Sequence, residues 1–527
     1  MKSFLVRCGS VLFAGFVGLI VFCGIEDFQV GEDVYSQQTE AENISAIERA
    51  REFISTKARN INTADHSVLA QTHFTMGMLY VLDDEFEKAI EALKTAQKYD
   101  PDSAVIPTKI GAILLKEGKY EEAVNKLVAA VKLDDSYYEA HLFLGQSYYQ
   151  LNKVDKAIKE YRRAIELNPD ELTAYVDLGE MLTRENKVED AIEIYRKALE
   201  IDPEQATLWY RLGLLYSKLN NLEKAMDSFQ KAIKHNPSSF LAHLGYAIVL
   251  EVAGRIDEAI KEYKKCLDIN PLSKNIYKRL AELYRDKEQY DEALKLYDLI
   301  REMEPKVSAN YVNPAYVLLK IKKPDEALDV LSLGLKEIPE SLEIIFMLGL
   351  TYSEMEKFDN AIEMYDKALE AGAEAYLIHY YKGSVYERKG EFEKAEVEFK
   401  KTIELNPKYA DAYNYLGYMW AEKNTKLDEA VELIKKAIEL SPKNGAYIDS
   451  LGWVYFKQGK IKEAIEQLKV AVELIPDDSV IHEHLGDAYQ KQGNHEQALK
   501  QWKKAFELDP ANESVKNKLD KYNVSLH

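Results

Sequence analysis

The sequence predicts an all-α protein built as an array of paired helices, and three regular features indicate this class. A small residue recurs at steps of 34 residues, with one step of 35, from Gly77 and Gly111 onward. An alanine follows each small residue twelve positions later, beginning with Ala89. A proline closes eleven of the thirteen units, as at Pro169 and Pro203. Repetition at a fixed period of this length is typical of solenoids, in which each unit packs against its neighbours.

Residues 1–25 are predicted to be a signal sequence or a membrane anchor. Two basic residues, Lys2 and Arg7, precede an uncharged run that ends at Ile25, and acidic residues follow it. This order of charges favours an N-terminus inside and a body outside the membrane. Three outcomes stay open: retention, cleavage, or cleavage with lipidation at Cys23. The stretch LIVFC resembles a bacterial lipobox, although Phe stands where a small residue is usual.

Capping segments are predicted on both sides of the array. Residues 26–69 contain an acidic linker followed by a helix, since Ile44, Ile47 and Phe53 recur at helical spacing. Residues 512–527 contain a short, mostly polar closing segment. Arrays need such caps because their terminal units have no outer neighbour.

The array itself is divided into units 1–7 over residues 70–307 and units 8–13 over residues 308–511. A small residue is needed where two helix backbones approach closely, and proline ends the second helix of a unit. One unit is too small to bury a sufficient core alone. Pro314 falls inside a first helix, so we expect Asn313 to cap a shortened helix, with a bend near residues 305–315.

This pattern resembles the tetratricopeptide repeat family, whose units carry Gly or Ala at position 8, Ala at positions 20 and 27, and Pro at position 32. Thirteen units in one phase cover about residues 70–511. The resemblance implies a right-handed α-solenoid of about 13 helix pairs with a concave groove.

Composition excludes several functions. Lys and Arg number 69 against 89 Asp and Glu, and the net charge of −20 disfavours nucleic-acid binding. With three cysteines, neither a disulfide framework nor a multi-cysteine zinc site is expected. Half of the ten histidines fall at unit position 4, which indicates packing and not metal binding. We therefore predict no metal, no cofactor and no enzyme activity, because no stretch remains for a catalytic domain.

The resemblance also implies which residues line the groove, namely those at positions 2, 5, 9, 12 and 13 of each unit. Asp449, Trp453 and Phe456 are spaced so that they share one helix face. Position 9 is never Asn, which disfavours a clamp for a chaperone's terminal carboxylate. The candidate partner-binding residues are Tyr210, Leu244, Ile248, Tyr316, Phe346, Tyr380, Tyr418, Asp449, Trp453 and Phe456.

The expected function is an exported scaffold of the bacterial cell envelope, which binds proteins or peptides in its groove and touches the membrane only through its N-terminus. The last three units are similar to those of bacterial envelope lipoproteins, some of which are adaptors that present substrates to a carboxyl-terminal processing protease. The alternative is an assembly scaffold of an envelope polysaccharide biosynthesis or secretion complex.

Overall fold

The computed structural model describes residues 66–522, and all 27 elements in this part of the chain are helices. The all-α prediction is therefore confirmed. The predicted anchor, the candidate lipidation site Cys23 and most of the first capping segment lie outside the described residues, as do residues 523–527. Among the described helices, none combines the length and the apolar character that crossing a bilayer requires.

The chain forms two compact units, the first ending at Arg255 and the second beginning at Ile256. Odd-numbered helices up to α25 are the first helices of repeats, and even-numbered helices are the second ones. The helices of the first compact unit are α1 His66–Leu82, α2 Phe86–Tyr99, α3 Val105–Lys116, α4 Tyr120–Leu133, α5 Tyr138–Gln150, α6 Val154–Leu167, α7 Leu172–Arg184, α8 Val188–Ile201, α9 Ala206–Lys218, α10 Leu222–His235 and α11 Phe240–Val252.

The second compact unit contains the remaining helices, and it ends with a short helix that buries Val515 and Leu519. These helices are α12 Ile256–Ile269, α13 Lys274–Asp286, α14 Tyr290–Met303, α15 Ala309–Lys320, α16 Pro324–Glu337, α17 Leu342–Glu354, α18 Phe358–Glu370, α19 Ala375–Lys389, α20 Phe392–Leu405, α21 Ala410–Glu422, α22 Leu427–Leu440, α23 Gly445–Lys457, α24 Ile461–Leu474, α25 Ser479–Gln492, α26 His495–Leu508 and α27 Glu513–Asp520.

Within a compact unit, a first helix packs against the second helix of its own repeat and the first helix of the next. Helix α3, for example, contacts both α4 and α5. The small residue at unit position 8 lies at the contact inside a repeat. A Cβ atom added to Gly179 on α7 would lie only 2.3 Å from Cε1 of Tyr195 on α8. The buried ring of Tyr195 thus occupies the space that a side chain would need.

Side chains at unit position 4 connect consecutive repeats. Where this residue is His, Trp or Tyr, its side chain commonly donates a hydrogen bond to the backbone carbonyl of the residue that closes the preceding repeat, which would otherwise lack a partner. A histidine at this position therefore serves packing. The bonds are His141 Nε2 to Asp135 O at 3.1 Å, Trp209 Nε1 to Pro203 O at 2.8 Å, Tyr311 Oη to Pro305 O at 2.9 Å and His482 Nε2 to Pro476 O at 2.9 Å.

The prediction that Asn313 caps a shortened helix is wrong. Helix α15 begins at Ala309, and Pro314 lies inside it. Its first turn is held by the Asn310 side chain, whose Nδ2 donates to the carbonyl of Glu304 at 2.8 Å. Proline removes one backbone hydrogen bond close to the start of the helix, and the helix continues through it. The bend near residues 305–315 stays a prediction.

Candidate partner-binding surface

Five rings on or beside the first helices of the second compact unit form one continuous group, called here the aromatic cluster. Phe346 on α17 contacts Tyr381 on α19, with ring centroids 5.0 Å apart. The neighbouring Tyr380 contacts Tyr409 at 5.1 Å and Tyr415 on α21 at 5.5 Å. The Tyr415 side chain is 38% exposed. The structure therefore brings the predicted residues Phe346 and Tyr380 together through three tyrosines that the sequence analysis did not select.

Buried rings on the second helices pack against the aromatic cluster. Tyr365 on α18 lies 5.9 Å from Phe346, and Phe399 on α20 lies 6.0 Å from Tyr380. Both supporting side chains are fully buried. Burial raises the pKa of Tyr380, and it raises that of Tyr381 to about 12. These phenols are therefore neutral at physiological pH and present hydroxyl groups that can donate hydrogen bonds.

A second group, the Trp453 site, consists of Glu422, Asp449, Trp453, Phe456 and His484. The Trp453 ring stacks on Phe456, with centroids 4.9 Å apart, and on His484, with centroids 4.0 Å apart. Its indole N–H donates to the carboxylate of Glu422. All three predicted residues of α23 thus meet, but Asp449 is buried and does not line an open surface.

The charge of Asp449 is balanced within the protein. Nδ1 of His484 on α25 lies 3.0 Å from each carboxylate oxygen of Asp449, and His484 is only 7% exposed. Burial by itself lowers the pKa of His484. The negative charge of Asp449 and its hydrogen bond to the ring have the opposite effect, and the charges of Asp487 and Glu483 add to it, so that the pKa is raised. The pair therefore acts as a buried ion pair beneath the Trp453 ring.

Sequence reasoning missed His484, and one available signal points to it. His484 follows Asp449 by 35 residues, about one repeat. Equivalent faces of consecutive first helices lie side by side in a stacked array, so residues one repeat apart are neighbours. A search for opposite charges at that spacing would have paired these two residues.

Tyr418 is half-buried on α21. Burial is the main cause that raises its pKa, and the negative charges of Glu422 and Asp449, two members of the Trp453 site, add to it. The other predicted residues are not part of either group. Tyr316 is half-buried on α15. In the first compact unit, Tyr210 packs on Phe229 with centroids 6.0 Å apart, and Leu244 and Ile248 are half-buried on α11.

No cluster of three metal-ligating side chains occurs among residues 66–522. Both surfaces consist of rings, hydroxyl groups and paired charges. This arrangement suits noncovalent contact with another chain, because aromatic side chains contribute large contact areas and specific hydrogen bonds.

Family models match successive parts of the chain. The models described as "Tetratricopeptide repeat" and "TPR repeat" match the first four and the last five repeats, and "Cytochrome c-type biogenesis protein H TPR domain" matches a central stretch. The matched residues are 70–103, 108–171, 144–206, 346–401, 398–445, 452–493 and 480–512 for the first two descriptions, and 194–311 for the last.

Among curated proteins, the chain is similar to "TPR repeat-containing protein PA4667" of Pseudomonas aeruginosa, with 48% identity over 54 residues. The matching stretch spans 10% of this chain and 9% of that relative.

Among solved structures, the chain is similar to one titled "Crystal structure of APC/C hetero-tetramer Cut9-Hcn1", with 16% identity and a TM-score of 0.40 over 84% of this chain and 94% of that one. It is also similar to "Crystal Structure of the Yeast Tom70", with 16% identity and a TM-score of 0.37 over 86% and 94% of the two chains.

Together, the matches to repeat models span residues 70–311 and 346–512 with short gaps, and every helix in these ranges belongs to the array of helix pairs. On this evidence, the chain belongs to the tetratricopeptide repeat family.

Proposed function

We propose that this protein is a noncatalytic scaffold that binds a segment of a partner protein along the aromatic cluster and the Trp453 site. The observation that carries the proposal is the run of partly exposed rings on consecutive first helices, from Phe346 through Tyr380 and Tyr415. Repeat arrays use extended surfaces for recognition, and exposed apolar patches on soluble proteins commonly mark interaction sites.

The proposal includes export and tethering in the bacterial cell envelope, with the repeats outside the cytoplasmic membrane. Its support is the order of charges around the uncharged run in residues 1–25. We further propose that the scaffold presents bound proteins to an envelope protease. The similarity of the last three repeats to those of envelope adaptors supports this step.

Removing one exposed ring, Tyr415, and one half-buried ring, Phe456, tests the surface. We expect Tyr415→Ala combined with Phe456→Ala to lower partner recovery at least tenfold in cross-linking pulldowns from membranes. Truncating central aromatic residues of an interface commonly costs about 2 kcal/mol or more, and 1.4 kcal/mol corresponds to a factor of ten. Both changes leave the stacking of Trp453 on His484 in place. Quantitative mass spectrometry should identify a protease and its substrates among the lost proteins.

Trp209→Ala is the matched control, because it removes a larger ring from a first helix outside the proposed surface. Trp209 lies at unit position 4, where its indole N–H donates to the Pro203 carbonyl. This variant should retain its partners. Undiminished recovery with the double variant would contradict the surface, provided that both proteins remain folded by circular dichroism.

Labelling with a fatty-acid probe tests the tether. We expect a chain lipidated at Cys23 to incorporate the probe, and Cys23→Ser to abolish incorporation. Cys8→Ser is the control, since Cys8 lies at the start of the uncharged run. Equal labelling of the parent chain and Cys23→Ser would exclude lipidation at Cys23. A parent chain that stays in membranes without label would favour a retained anchor.

A second candidate function is an assembly scaffold of an envelope polysaccharide biosynthesis or secretion complex. The match of residues 194–311 to a domain of a biogenesis protein favours an assembly role of this kind. The same pulldown separates the two candidates. Loss of polymer synthases or an export channel in the double variant, without a protease, would favour assembly.

A further inference from the structure

A cavity of about 290 Å³ opens among helices α3–α7 of the first compact unit, whereas the aromatic cluster and the Trp453 site belong to the second. The side chains that define its chemistry are Gln146, Tyr149, Tyr161, Asp177 and Glu180. Its volume is just below the range of sites that enclose a drug-sized molecule. It can therefore hold one long side chain of a bound protein.

Tyr161 lines this cavity together with Tyr149, Asp177 and Glu180. The residue is only 2% exposed, so its ring is held in place by the surrounding helices. Burial is the main cause that raises the pKa of Tyr161, and the charges of Asp177 and Glu180 add to it. A neutral phenol at the wall of a cavity can accept a hydrogen bond from a ligand that enters it.

The negative charges of Glu180 and Asp177 are not equally neutralised by neighbouring side chains. Glu180 forms an ion pair with Arg211. Asp177 instead accepts a hydrogen bond from the neutral amide of Gln146, with Nε2 2.6 Å from its Oδ2. Burial is the main cause that raises the pKa of Asp177, and the negative charge of Glu180 adds to it. No basic side chain contributes to that shift. Arg184, the basic residue that lines the cavity, is exposed to solvent.

We propose that this cavity is a subsite for one cationic side chain, lysine or arginine, of a bound protein segment. An ammonium or guanidinium group donates to the Asp177 carboxylate and the Tyr161 hydroxyl and also balances the negative charge of Asp177, which a neutral donor does not do. The aliphatic stem lies against Tyr149 and Met181, as basic side chains commonly pack along apolar groups. This subsite deepens the proposed scaffold function and rests on it for the source of the ligand.

The test uses the full-length protein and four acetylated, amidated pentapeptides, Gly-Gly-X-Gly-Gly, in which X is arginine, lysine, citrulline or norleucine. We expect the arginine and lysine peptides to bind at least tenfold more tightly than the two uncharged peptides, measured by ligand-observed NMR titration. Asp177→Asn should lower affinity for the cationic peptides at least tenfold. Glu193→Gln, which alters an exposed carboxylate on α8, should leave affinity unchanged.

Equal affinity for the arginine and citrulline peptides would overturn the subsite, and this comparison requires no variant to fold. Retained binding by Asp177→Asn would do the same. Tighter binding of free arginine than of the arginine peptide would assign the cavity to a small molecule and contradict a protein ligand. If the peptides fail while Tyr415→Ala/Phe456→Ala still loses its partners, the subsite fails and the scaffold proposal stands.

Discussion

Gly179→Ala is expected to destabilise helices α7 and α8 by about 2 kcal/mol. The new methyl group would lie 2.3 Å from Cε1 and 2.7 Å from Cζ of Tyr195, whose ring is buried and cannot move aside. Overpacking costs about 1–3 kcal/mol, and a contact this short belongs at the upper end, while the better helix propensity of alanine returns about 1 kcal/mol. Amide hydrogen exchange in residues 172–201 measures this local loss without assuming that the whole array unfolds at once.

Gly145→Ala is the matched control, because it places the same methyl group opposite the same kind of ring. Its Cβ atom would lie 3.0 Å from Cδ1 of Tyr161, so a shift of a few tenths of an ångström relieves the contact. We therefore expect this variant to lie within about 1 kcal/mol of the parent protein. Equal losses of protection in the two variants would mean that ring contact does not select glycine at position 8.

Asp449→Leu is expected to destabilise helices α23 and α25 by about 3 kcal/mol at pH 6. The Asp449 carboxylate accepts a hydrogen bond from the His484 imidazole and balances its charge, and the substitution leaves that imidazole buried without it. Removing one partner of a buried ion pair commonly costs about 3–5 kcal/mol. Hydrogen exchange in residues 445–457 and 479–492 reports the loss, and a difference below about 1 kcal/mol at pH 6 would contradict it.

The effect of Asp449→Leu should depend on pH in one direction. The pKa of His484 in the folded protein is raised above its ordinary value of 6.5, mainly because the negative charge of Asp449 outweighs the effect of burial. Its contribution is therefore fully present below pH 6.5 and is lost as the pH rises through the folded pKa. The difference between parent and variant should shrink over that upper range, since a neutral imidazole is less costly to bury. A difference that grows with pH would exclude a charged His484.

The double variant Asp449→Leu/His484→Phe separates the ion pair from simple packing. Replacing both members of a buried pair by apolar groups is often neutral, whereas removing one is costly. We expect the double variant to recover most of the stability lost by Asp449→Leu and to lose the pH dependence. A double variant as unstable as the sum of its single changes would indicate no coupling between the two residues.

The repeat phase was predictable because each unit restates the same local requirements. The small residue opposite a buried aromatic or aliphatic side chain, as in Gly179 and Tyr195, recurs at the same position of each unit, and the closing proline recurs in most of them. Even the packing role of the position-4 histidines could be predicted from their regular placement. The predicted helix start at Pro314 was wrong, because a proline near a helix start is compatible both with the first helical position and with an interior one.

The candidate surface was only partly predictable. Asp449 occupies a groove position by sequence, yet the structure buries it against His484. Tyr381, Tyr409 and Tyr415 complete the aromatic cluster, although the expected groove positions include none of them. Position in a repeat specifies which face a residue is on, but the neighbouring repeat decides how much of it stays exposed.

The all-α class, the 34-residue phase and the family could be predicted from the amino-acid sequence, because helix periodicity, small contact residues and closing prolines act within one unit. Which charges are paired and which side chains share a cavity could be seen only in the folded chain. The pairing of Asp449 with His484 and the meeting of Tyr161 and Asp177 at one cavity both depend on distances between different helices. Such distances are set by side-chain packing across repeats, which no local pattern records.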